Sequence, residues 1–183
     1  HLNRDMLQIF LETELEEIPD SYRQPVEDGI KKRLNIIKVY LENPKRIATI
    51  SKDIAAHFRE NIDGRYKAMV VTVSRRACSL YKQELDKLLP TEYSEVVMTY
   101  QDSERYSVIA SFKDGVMEAN PGYSTEEIND QIREKFREDE NPRILIVTDK
   151  LLTGFDAPVL QTMYLDKPLK EHRLLQAIVR TNR

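Results

Sequence analysis

Apolar residues recur along the first third of the chain at helical spacing. Val26, Ile30, Leu34, Ile37 and Leu41 follow one another every three or four positions, which places them on one face of a helix. Pro25 suits its first turn, and Asn43-Pro44 stops it, because a residue before proline is pushed out of the helical region. Ile47, Ile50, Ile54 and Phe58 repeat the pattern in a second helix that ends before Asp63-Gly64. A further helix is read over Asp5 to Glu17.

From Lys67 the period changes. Ala68-Met69-Val70-Val71-Thr72-Val73 is a short run rich in β-branched residues, long enough for a buried strand and too short for a helix. Ser74 is placed to cap a helix whose core face is Ala77, Tyr81, Leu85 and Leu88. Glu95 to Thr99 reads as a second strand, followed by an irregular stretch over 101–123. Ser124 and Glu127 have capping-box spacing ahead of a charged helix that ends near Asp139. Asn141-Pro142 breaks that helix, Ile144 to Thr148 is a third strand, and Thr162 to Leu165 a fourth. A final helix starts at about Leu169.

Strands separated by helices imply right-handed crossovers, and therefore an α/β fold with a parallel sheet covered on both faces. A helical N-terminal extension over 1–62 precedes it, with the sheet domain over 63–183. Functional residues in such sheets gather in the loops that follow the carboxyl ends of strands. Those loops are Ser74-Arg75-Arg76, Thr99 to Asp102, Thr148 to Asp156, and the segment after Asp166.

Composition narrows the classes. Over 183 residues, 40% are hydrophobic and 32% charged, which sets the chain apart from disordered sequences. No apolar run approaches the ~20 residues of a membrane span, and the mixed polar start, His1 to Phe10, has no signal-peptide pattern. A soluble cytoplasmic chain with no membrane partner is expected. The single cysteine, Cys78, allows no internal disulfide and suits a reducing compartment. His1, His57 and His172 are scattered, without metal-ligand spacing, so no metal site is expected from them.

The formal net charge is −3, yet Arg143 to Arg183 holds seven basic and four acidic residues. A polyanion site is therefore expected toward the C-terminal end or on a local patch. The five glycines form neither a GxxxxGK nor a GxGxxG pattern. If the chain meets ATP, it does not supply the principal phosphate cradle.

Two C-terminal segments carry the most specific chemistry. Thr148-Asp149-Lys150-Leu151-Leu152-Thr153-Gly154-Phe155-Asp156-Ala157-Pro158 follows the third strand. In the final helix Gln176, Arg180 and Arg183 stand at i, i+4 and i+7, so two guanidiniums and a carboxamide share one face. Arginine offers planar, forked donors, which makes that face a phosphate reader. Each feature also has an ordinary reading. The arginines suit a solvated face, Asp156 a turn before Ala157-Pro158, Ser74 a helix cap beside two surface arginines, Thr148 a strand end, and Lys150 a solvent-facing position.

These segments are similar to motifs V and VI of superfamily 2 helicases and translocases. The stretches Thr153 to Pro158 (TGFDAP), Asp166 to His172 (DKPLKEH) and Leu174 to Arg183 resemble more closely the motor (R) subunit of type I restriction enzymes. Val179 departs from the glycine many helicases carry there, and leaves the arginine spacing intact. The resemblance implies the second of two RecA-like motor domains in an ATP-dependent double-stranded DNA translocase and endonuclease. It implies that Arg180 and Arg183 act on ATP hydrolysis, with Gln176, Gly154 and Asp156 nearby at the nucleotide. Ser74, Arg75, Arg76, Thr148 and Lys150 would meet the DNA backbone. ATP and Mg2+ would be held mainly by the first motor domain, and methylation and specificity subunits would be partners. This piece alone would be inactive, and no nuclease motif is found in it. Two other readings stay open: a motor domain of a repair or remodelling helicase, and a noncatalytic nucleic-acid- or protein-binding α/β module.

Overall fold

Apolar runs between turn signals become the strands of one parallel sheet. The computed structural model describes Gly29 and residues 36–100, 107–148 and 157–167. Residues 36–41 are helical and are followed by α1 (Pro44–Asn61), β1 (Lys67–Thr72), α2 (Arg75–Leu85), β2 (Ser94–Val97), α3 (Ser107–Ala119), α4 (Thr125–Glu138), β3 (Ile144–Val147) and β4 (Leu160–Asp166). The strand order is β2-β3-β1-β4, with every neighbouring pair parallel. Val71 pairs with both Val147 and Leu165, and Val97 with Val147, so the carboxyl ends of all four strands share one edge.

The alternation along each strand assigns side chains to two faces. Ala68, Val70, Val96, Ile144 and Ile146 point toward α1, α2 and α3, where they meet Ile54, Phe58, Cys78, Tyr81, Leu85 and Ile109. Met69, Val71, Val97, Leu145 and Val147 point the other way, onto Phe136 of α4 with Ile132 packed beside it. The expected α/β class, with helices on both faces, is what the chain forms. α1 contributes to the same core as the sheet.

All six residues of β1 are buried. Polar groups at both of its ends are nonetheless satisfied. The Lys67 ammonium donates to the carbonyls of Phe136 and Asp139 at 2.8 and 2.5 Å, where α4 leaves its last carbonyls without helical partners. The Thr72 hydroxyl donates to the Ser74 carbonyl at 3.0 Å and lies 3.1 Å from the Cys78 sulfur.

Local signals set the helix ends. Asn43 caps α1 by accepting from the backbone N–H groups of Lys45 and Arg46, with Pro44 in the first turn. Gly64, at φ +76°, turns the chain between α1 and β1. The capping box at α4 is complete, since Glu127 N–H donates to the Ser124 hydroxyl while the Ser124 N–H donates to the Glu127 carboxylate at 2.7 Å. Ser124→Ala is expected to cost about 1 kcal/mol, read from the denaturant midpoint.

Three details differ from the sequence reading. The stretch 101–123 contains a helix, α3, whose Ile109 is buried and whose Val108 and Phe112 pack against the core. Its apolar face is only three turns long and contains Gly115, a weak helix former, so the periodic signal is diluted. Ile37 and Leu41, read as sharing one apolar helix face, differ in burial: Ile37 is 45% exposed and Leu41 is buried. β2 starts one residue early, at Ser94, and β4 extends to Leu160 and Asp166 because pairing with β1 continues past the apolar run. The helix read over Asp5 to Glu17, residues 26–35 of the next apart from Gly29, and the final helix from Leu169 lie outside the described residues.

Candidate functional site

β1 and β3 are neighbours, so the loop after each opens at the same edge of the sheet. Ser74, Arg75 and Arg76 follow β1, and Thr148, partly buried, follows β3. The structure brings these four of the candidate residues to adjoining positions. Lys150, Gly154, Asp156, Gln176, Arg180 and Arg183 lie outside the described residues.

Ser74 is the N-cap of α2, extended at φ −160° and ψ 165°, and its oxygen accepts from the Ala77 N–H at 3.2 Å. Its hydroxyl proton goes elsewhere, to the carboxylate of Glu42 at 2.5 Å. The Arg76 guanidinium donates to the Glu42 main-chain carbonyl at 3.2 Å and to the same carboxylate at 3.4 Å. Lys38 stands 3.9 Å from that carboxylate on the outer side. Glu42 is thus a carboxylate only 6% exposed, held by a hydroxyl and a guanidinium. Such burial requires this pairing, because an unpaired carboxylate there would face a large desolvation cost. Arg75 reaches over the end of β2 and donates to the Thr99 carbonyl at 3.3 Å.

A second ionic cluster stands beside the first, at the end of β4. Arg46, in the first turn of α1, donates with both terminal nitrogens to the two oxygens of Asp166, at 2.8 and 2.5 Å. The Tyr81 hydroxyl of α2 donates to the same carboxylate at 2.7 Å. The side chains of Arg46 and Asp166 are 21% and 9% exposed. The Asp166 hydrogen bond raises the Arg46 pKa above its ordinary value. Burial, and then the bond to Asp166, raise that of Tyr81 and keep its hydroxyl a donor. Glu42, Arg46, Tyr81 and Asp166 were not singled out from the sequence as a cluster. Asp166 lies 120 residues from Arg46, and Glu42 lies 32 from Ser74, so no local spacing connects them. The one sequence clue was Asp166 at the head of DKPLKEH.

The remaining chemistry-bearing residues have structural surroundings. Cys78 is fully buried, and burial pushes its thiol pKa up to about 12, which removes the nucleophilic thiolate at neutral pH. His57 Nδ1 lies 2.8 Å from the Tyr164 hydroxyl, with the two rings edge to face. Among the described residues no group of three or more His, Cys, Asp or Glu side chains could hold a metal ion. No helix among the described residues is long and apolar enough to cross a membrane.

The profile of the family described as "Type I restriction enzyme subunit R domain 3" matches residues 12–183. The chain belongs to that family. It is 47% identical over 162 residues to a putative type I restriction enzyme MjaVIIP endonuclease subunit of Methanocaldococcus jannaschii, covering 84% of this chain and 15% of that protein. Over 154 residues it is 33% identical to the type I restriction enzyme HindI endonuclease subunit of Haemophilus influenzae, covering 82% of this chain and 14% of that one. The family drawn from TGFDAP and DKPLKEH is thus the family found. The chain spans about a seventh of the length of these curated relatives. It corresponds to one domain's worth of an R subunit.

Proposed function

We propose that this R-subunit domain is the second RecA-like motor domain of an ATP-dependent double-stranded DNA translocase within a restriction endonuclease. In this reading the helical segment 1–62 leads into a motor domain over 63–183. The methylation and specificity subunits of a restriction-modification complex are its partners, and the whole enzyme works in the cytoplasm. The observation that carries the reading is the shared edge of β1 and β3. In a member of this family, that edge collects the Ser74 to Arg76 turn and Thr148 on adjoining strands. Hydroxyls and guanidiniums are the groups that meet phosphate oxygens without reading base sequence. Lys150, two residues beyond Thr148 in the chain, would join them.

ATP and Mg2+ would be held mainly by the first motor domain of the parent protein. When bound, the nucleotide supplies a phosphoryl group whose oxygens gather charge during transfer. On this side of the cleft, Arg180 and Arg183 would direct fixed forked donors at that charge, and Gln176 would share their face. Gly154 and Asp156 would line the same cleft, the glycine allowing close backbone approach. Without a phosphate loop, this chain alone is expected to lack DNA-stimulated ATPase activity.

Replacing Arg75 and Arg76 together with Ala in the intact subunit tests the DNA reading. Affinity for duplex DNA should fall regardless of sequence. The log–log salt dependence should flatten by about 0.9 for each phosphate that the variant no longer neutralises. Unchanged affinity and slope would reduce the Ser74 to Arg76 turn to a helix cap and its surface charges.

A further inference from the structure

We propose that Glu42 is a built-in competitor for DNA phosphate: its carboxylate occupies the Ser74–Arg76 site in the resting domain and must leave for the backbone to bind. The inference rests on the proposed DNA role of that turn. It deepens that role by adding a regulatory group from another part of the chain.

The chemistry of the contact is that of a phosphate site already filled. A phosphate oxygen would accept a hydrogen bond from the Ser74 hydroxyl and one from the Arg76 guanidinium. Both are donated instead to the Glu42 carboxylate, at 2.5 and 3.4 Å. A carboxylate and a phosphodiester share negative charge and acceptor oxygens, so the two compete for the same donors. Glu42 is also nearly excluded from water, at 6% exposed, while the Arg76 side chain is 30% exposed.

The surrounding structure is built for release on one side and anchorage on the other. Glu42 sits in the turn between the helical residues 36–41 and the Asn43 cap of α1. Four residues on, Arg46 is clamped by both nitrogens to Asp166, which fixes the start of α1 to the end of β4. Upstream little apolar surface is buried: Ile36, Val39 and Tyr40 are 60%, 71% and 63% exposed, of residues 36–42 only Leu41 and Glu42 are buried, and the Tyr40 ring lies under the Arg46 guanidinium at 5.0 Å. Segments with few buried apolar side chains open at low free-energy cost. The joint at Asn43-Pro44 therefore separates a helix fixed by a two-point ion pair from a turn held by Leu41, the Glu42 bonds and one ring contact. DNA binding and displacement of the Glu42 turn are two sides of one equilibrium, so whatever holds residues 36–42 in place lowers apparent DNA affinity.

The test uses the intact subunit and a fluorescent duplex without a recognition site. Glu42→Gln keeps shape and acceptor while removing the charge. It is expected to tighten binding about tenfold and to leave the log–log salt slope unchanged, because both proteins neutralise the same phosphates once the turn has left. Adding Arg76→Ala to that variant should abolish the gain. If it persists without Arg76, the competitor assignment is overturned, because only a bulk charge has been removed. If Glu42→Gln binds no tighter while the Arg75/Arg76 double variant binds more weakly, the competitor falls and the DNA site stands. If none of the variants alters binding, both fall. Hydrogen exchange on the unsubstituted subunit gives an answer that does not depend on a variant folding. Saturating duplex should speed exchange at residues 38–42 and leave that of α1 unchanged. Slower or equal exchange at 38–42 overturns the proposal.

Discussion

Alanine at Arg183 or Arg180 in the intact R subunit is expected to cut ATP turnover about 10³-fold, equivalent to roughly 4 kcal/mol of transition-state stabilisation. The physical reason is that positioned guanidiniums act where phosphoryl charge develops, so their removal is felt more in turnover than in nucleotide affinity. Lysine at either position should rescue poorly, since an ammonium cannot span two oxygens. Were these arginines a solvated helix face, the expectation would be normal turnover and a stability change of at most about 1 kcal/mol. Steady-state rates and melting curves for the two alanine variants separate the cases, and normal rates in both would remove the catalytic assignment.

The second large effect is on folding. Asp166→Ala leaves the Arg46 guanidinium and the Tyr81 hydroxyl without their shared acceptor, in a place where both were desolvated to meet it. Breaking such a pair from one side costs more than the pair itself contributes, and about 3 kcal/mol is expected after allowing for the part of Arg46 that remains in water. That corresponds to a drop of about 10 °C in the melting temperature of a chain this size. Tyr81→Phe removes only one donor and should cost about 1 kcal/mol. Arg46→Ala combined with Asp166→Ala should cost less than the two separately, because the second change removes a group already orphaned. A loss below about 1 kcal/mol for Asp166→Ala would mean that solvent screens the cluster like an exposed ion pair.

The strands with the clearest sequence signals were those buried on both sides. β1 and β3 read as unbroken apolar runs because neither presents a face to water. α1 and α2 were legible from their stripes, and α2 and α4 from Ser74 and Ser124 at their caps, whereas Asn43 read as the stop of the preceding helix and not as the cap of α1. α3 was not, because a short stripe interrupted by Gly115 resembles loop composition. The turn after β1 was legible as a candidate from strand order alone. Its partner Glu42 was not, because an acidic residue at the end of an exposed helix looks the same in sequence whether it is solvated or buried under an arginine. The Arg46–Asp166–Tyr81 cluster was hidden for a related reason: it joins three elements whose proximity exists only after the sheet has assembled.

The polar ends of β1 bear on how the sheet finds its alignment. A strand with one wet face cannot slip by a residue without turning its apolar side chains into water. β1 has no wet face, and Met69, Val70 and Val71 would be nearly as content one position along. Lys67 and Thr72 are the bookends that remove this freedom. A slip would carry the ammonium away from the carbonyls of Phe136 and Asp139, and the hydroxyl away from the Ser74 carbonyl, stranding buried polar groups at both ends together. The two buried polar residues of the strand thereby serve as its ruler, and the edge that carries Ser74, Arg76 and Thr148 inherits its alignment from them.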